Sequence, residues 1–244
     1  MHTRKGANVP TLFTHQPHCP KSHENVRNAN PNTLLNRNLL NRAGFHFFAE
    51  PWLKRAKTSA DNQEWFEALI YLWVTFNAWL SLAVTRRELS DQDSYLWRVA
   101  GLDPSLSKSF TGEIEKHGDF ENWVLEFHSL WPVFKSRTLL DNNIQAWQPW
   151  NDHSESRAQY RVRCFSTRLD YSDFAPSCFL EHQANSSQLE PDVVPHDWQH
   201  VLASIYQVRC NLFHGGKSFT SSSDQNFVRL SYLILASVLH GEWK

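Results

Sequence analysis

The stretch WQHVLASIYQVRCNLFHGGK, Trp198 to Lys217, sets the reading of the whole chain. Trp198, Val201, Leu202, Ile205, Val208 and Leu212 recur at helical spacing, so one face of a helix is meant for a core. Gly215 and Gly216 then stop it, because glycine enters the left-handed backbone that closes a helix without steric cost. Just before the stop stand Arg209, Asn211 and His214. A cation, an amide and an imidazole in the last turns of an apolar helix cost free energy unless each finds a partner.

His214 falls at the helix C-terminus, where the backbone dipole favours imidazolium. On an ideal helix Asn211 and His214 lie about 60° apart, and Arg209 about 140° from His214. The three converge only through the length of the arginine, a frayed helix end, or a second subunit closing the site. With 13 histidines in the chain, Arg–His pairs at this spacing also arise by chance. The plainer alternative makes Arg209 a surface or salt-bridging residue and His214 a C-cap.

The string RCNLFHGGK resembles the signature of the HEPN superfamily (higher eukaryotes and prokaryotes nucleotide-binding domains): an Arg, a polar residue soon after it, and a His near the end of the penultimate core helix. That resemblance implies an all-α bundle of four or five up-and-down helices. It also implies a homodimer and, in many members, a metal-independent endoribonuclease of toxin or antiviral systems. The catalytic pattern carries over to Arg209 and His214, with Asn211 as the polar residue beside the arginine. The likeness covers the C-terminal third well and the helix from Glu64 more loosely. It leaves out the first sixty residues and the stretch 141–195.

Outward from the motif, the last helix is expected from Asp224, as its N-cap, through Phe227, Leu230, Ile234 and Val238, with Gly241 ending it. On the N-terminal side His196 and His200 stand four apart, a spacing that suits metal ligation. Spacing supplies no third ligand, and Asp197 reads as a helix cap, so no metal is expected. Over 141–195 the apolar period weakens. Arg157, Arg161, Arg163 and Arg168 interleave there with Tyr160 and Phe165, a mixture that suits RNA, although a solvated face balancing Glu155, Asp170 and Asp173 fits slightly better. Arg161 and Arg163 are the substrate-binding candidates of this insertion.

Phe120, Trp123, Val124, Phe127 and Trp131 mark a helix over 119–131. Short helical pieces are expected over 86–118, around a turn from Gly101 to Pro104. The first long helix is expected over 61–85, opened by an Asp61–Glu64 capping box. From Ala68 to Val84 it is apolar nearly all round, near the lower length limit of a membrane span. Asn77, Thr75 and Ser81 near its middle favour the central helix of a soluble bundle. Asn77 is a further substrate-side candidate, since its helix would pack near Arg209. Residues 1–60 read as an arm, irregular over 15–33, with a short helix around Leu34 to Leu40. Pro51 breaks the pattern, and Trp52 and Leu53 pin the arm to the body formed by 61–244.

Composition bounds the rest. The 244 residues include 11 Trp and 16 Phe but only 8 Gly, which suits broad helix-packing faces better than a turn-rich β fold. A net charge of -1 provides no global basic field, so any RNA site must be a local patch. Cys19, Cys164, Cys178 and Cys210 form no close pair, and no signal-peptide pattern opens the chain, which together point to a reduced, cytoplasmic protein. The preferred expectation is an RNA-cutting homodimer without cofactor, facing an antitoxin or other partner protein. Arg209 would hold the scissile phosphate, His214 would move protons, Asn211 would orient His214 or the phosphate, and Lys217 would add a phosphate contact. The alternative is a related bundle that binds RNA or nucleotides without cutting, or serves as a scaffold.

Overall fold

Helices make up the regular structure of the described residues, which are 35–36, 44–85, 93–129, 197–215 and 217–240 of a computed structural model. They run α1 Gly44–Asp61, α2 Trp65–Ala83, α3 Asp93–Gly101, α4 Pro104–Ile114, α5 Asp119–Ser129, α6 Trp198–Phe213 and α7 Ser222–His240. Among the described residues there is no strand, only an isolated antiparallel bridge between Leu35 and Val84. The fold is an all-α bundle. The chain divides into two compact units, Met1–Asn30 and Pro31–Lys244, and every described residue belongs to the second. The basic run 157–168, with Arg161 and Arg163, lies outside the described residues, as do His196 and Gly241.

The core is built around α2. Phe66, Leu69, Leu72, Trp73, Phe76, Trp79 and Leu80 are all buried, against α1 on one side and α7 on another. By length and composition this helix could cross a membrane. Its apolar surface is instead largely taken up by its own neighbours. Buried Thr75 is satisfied within the helix, its hydroxyl donating to the Tyr71 carbonyl at 3.0 Å.

Helix α1 departs from expectation. Asp61 does not open the first long helix but closes an earlier one, and α2 begins at Trp65 with Glu64 at its N-cap and no side-chain cap bond. The closure is a Schellman motif: Gln63 N–H donates to the Ala60 carbonyl and Glu64 N–H to that of Ser59. Gln63 takes the left-handed conformation this requires, with φ 64°. Pro51 lies inside α1 rather than ending it. Proline has no N–H to offer the carbonyl four residues back, yet the helix continues through it to Asp61. Ala49, Leu53, Ala56 and Ala60 form a helical stripe of three alanines and one leucine, and among the described helices α1 makes its most extensive pairing with α2. Trp52 does meet the body, its ring 5.7 Å from that of Tyr71. Leu35 pairs in extended form with Val84 instead of joining a helix.

The shorter helices fix the ends of the longer ones. Asp103 caps α4, its Oδ1 accepting from the N–H groups of Ser105 and Leu106 at 3.1 and 3.0 Å, with Pro104 at the first helical position. Ser109 donates to the Val238 carbonyl and ties α4 to α7. Glu126 on α5 accepts from Asn226 and Arg229 on α7. Helix α7 starts two residues before Asp224, and Ser221 is its cap: its Oγ accepts the Asp224 N–H at 3.2 Å. Helix α6 packs on α3, and less extensively on α7 and α4.

Candidate functional site

Helix α6 presents its apolar face as the spacing predicts, except that Leu212 is only half-buried. Trp198, Val201, Leu202, Ile205 and Val208 are buried, and Asp197 stands just before it, its carbonyl accepting the Val201 N–H. At the other end the chain turns out of the helix at Gly215, whose φ is +71° and whose N–H donates to the Leu212 carbonyl. His214 therefore sits at the C-cap, exposed, with its N–H bonded to the Cys210 carbonyl. No hydrogen bond, ion pair or ring contact joins its imidazole to any described residue.

Arg209 is half-buried in an aromatic cradle. Its guanidinium carbon lies 4.5 Å from the ring centre of Phe213, 5.7 Å from Trp73 and 5.9 Å from Tyr206. The rings hold the cation by their negative faces and limit the directions it can take. The stack continues: Tyr206 lies on Trp97 with 5.0 Å between centres, and the Arg98 guanidinium caps Trp97 at 5.4 Å. Trp73 meets both Tyr206 and Arg209, so α2 reaches α6 through long side chains. Tyr206 and Phe213 were readable at i−3 and i+4 from Arg209, the spacings that share a helix face. Trp73 carried no such local signal.

The remaining candidates divide. Asn211 is turned inward, 6% exposed, with its Oδ1 accepting from Gln207 Nε2 at 2.9 Å. It makes no bond to His214. Lys217 lies past the turn with only 7% of its side chain exposed; its ammonium is 2.7 Å from Asp224 Oδ1 and 4.4 Å from the Phe227 ring centre. Asp224 also accepts the Ser218 N–H, so the pair closes the loop between α6 and α7. Asn77 is half-buried on α2, one turn beyond Trp73. The structure thus brings Arg209 and Phe213 together at the helix end, beside an exposed His214, and gives Lys217 a role in loop closure.

Among the described residues no group of three or more His, Cys, Asp or Glu side chains is placed to hold a metal ion. No family model matches the chain, and no curated protein or solved structure matches it.

Proposed function

We propose that the chain is a metal-independent endoribonuclease with a HEPN-like core, in which α2, α5, α6 and α7 are the up-and-down helices. One observation carries the reading: a guanidinium fixed on three rings, five residues before an exposed imidazole uncommitted to any described residue. Arg209 binds the scissile phosphate and offsets the charge of the pentacoordinate transition state. The 2'-oxygen attacks phosphorus, the bond to the 5'-oxygen breaks, and the products are a 2',3'-cyclic phosphate and a 5'-hydroxyl. One proton leaves the 2'-hydroxyl and one must reach the departing 5'-oxygen. A single His214 serves one of these steps, so a homodimer with two His214 facing a shared groove supplies the pair. Asn211 acts from inside the helix as a positioning residue. A reduced cytoplasmic setting and a toxin or defence role, with an antitoxin or other partner protein, accompany this reading.

A second reading is favoured by the His214 imidazole, which makes no hydrogen bond, ion pair or ring contact with any described residue. On it the bundle binds RNA or nucleotides without cutting. The deciding experiment incubates the purified protein with end-labelled RNA in excess EDTA, beside the His214→Ala protein. The nuclease reading expects cyclic-phosphate ends from the parent and none from the variant. Uncut RNA in both lanes, with retained binding, would favour the module.

A further inference from the structure

We propose that Phe213 is the base-stacking residue of this site, taking an unpaired base of single-stranded RNA next to the scissile phosphate; this rests on reading the end of α6 as an RNA site. Phe213 is a large apolar side chain left 50% exposed, immediately before His214 in the chain. Arg209 lies over its ring, 4.5 Å from the centre, and that is its one ring contact among the described residues. The turn at Gly215 leads the chain out of the helix two residues later.

Isolated exposed apolar residues are ordinary on protein surfaces and need no explanation by themselves. Phe213 differs in what flanks it. The group that would hold phosphate rests on its ring, and the group that would move protons follows it in sequence. A nucleotide whose phosphate reaches Arg209 has its base within reach of the exposed part of that ring. Bases stack on aromatic side chains with little regard for identity, because every base has a π face. A base must be unpaired to do so, which selects single strands, loops and bulges over continuous duplex. The cation at the ring further restrains Phe213, reducing the ordering needed when a base arrives.

The test measures binding of a fluorescent, short 2'-O-methyl RNA, which lacks the attacking hydroxyl and so persists, to the full chain by anisotropy. Phe213→Ala should weaken binding about tenfold, within the range for loss of one base–aromatic stack. Phe213→Trp should restore it, and Phe213→Leu should not. An oligonucleotide with abasic sites throughout should bind parent and Phe213→Ala equally. Thermal melts of the three variants confirm that each remains folded. Parent-like binding by Phe213→Ala, or full rescue by leucine, overturns the stacking role. Failure of the parent to bind the oligonucleotide overturns it together with the RNA reading. Cleavage of ordinary RNA is scored separately: Phe213-dependent binding without cleavage removes the nuclease reading alone, and cleavage with Phe213-independent binding removes the stacking role alone.

Discussion

The two ends of α6 use similar residue types in opposite ways. At the N-terminal end Trp198 is 1% exposed, its indole N–H donating to the Ala100 carbonyl at 2.9 Å and its ring lying against Phe110. Every part of that side chain is committed to joining α6 to α3 and α4. At the C-terminal end another aromatic, Phe213, is half exposed, and the Arg209 guanidinium over its ring is held without being fully enclosed. One end is anchored by burial plus a satisfied hydrogen bond. The other is shaped by cation–ring contacts, which position a charge while leaving it partly open to solvent. A helix fixed firmly at one end is what a precise site at the other requires.

The contrast makes forecasts that can break it. Trp198→Ala should cost about 3 to 5 kcal/mol in denaturant unfolding, from the lost ring and the cavity it leaves. Trp198→Phe should cost about 0.5 to 1.5 kcal/mol, because it removes the indole bond to the Ala100 carbonyl, which still accepts the Asp103 N–H at 3.3 Å. A loss below that range would mean the N-terminal end is no anchor. Lys217→Ala should cost about 2 kcal/mol, the scale of a charge-assisted bond with its partner left behind. If stability instead stays level while RNA affinity falls, Lys217 belongs with the open end and not with the loop closure.

These sites were unequally legible. Helices α2, α5, α6 and α7 carry large apolar side chains at a period of 3.6, and their existence and central turns follow from that pattern, although α2 starts at Trp65 instead of Asp61 and α7 at Ser222. Helix α1 was hidden because its contact stripe is mostly alanine, which gives a weak hydropathy signal while allowing close approach to α2. Pro51 compounded the misreading: its local penalty of about 3 kcal/mol is outweighed by tertiary packing. Arg209, Asn211 and His214 share one helix, so their spacing could be read directly. The inward turn of Asn211 and the approach of Trp73 depend on how separate helices meet. Local patterns do not encode that. Lys217 pairs across a turn with Asp224, a residue assigned by the sequence to capping.

Smaller effects sharpen the picture of how the open end is closed. Gly215→Ala should destabilise by about 1 kcal/mol, since alanine pays for the positive φ that glycine accepts freely. Gln63→Gly, at the matching closure of α1, should stabilise by up to about 1 kcal/mol, and a loss there would contradict the left-handed assignment. Tyr232 on α7, whose ring meets that of Trp65, serves as a reference. Burial, then the nearby Asp61 carboxylate, raises its phenol above the ordinary range. The folded state therefore holds that proton more tightly than the unfolded chain does. Its contribution is complete below about pH 10 and is lost as pH rises through the raised value. Melts of Tyr232→Phe should accordingly decline less steeply in alkali than those of the parent.

On the nuclease reading, the exposed end of α6 serves chemistry and not stability. This is tested most directly by measuring thermal melt and RNA cleavage in excess EDTA on the same His214→Ala preparation. The expected result is an unchanged melt and a rate lower by roughly two to three orders of magnitude, the scale of losing one transition-state group at about 3 to 4 kcal/mol. A clearly lowered melt with undiminished cleavage would contradict it.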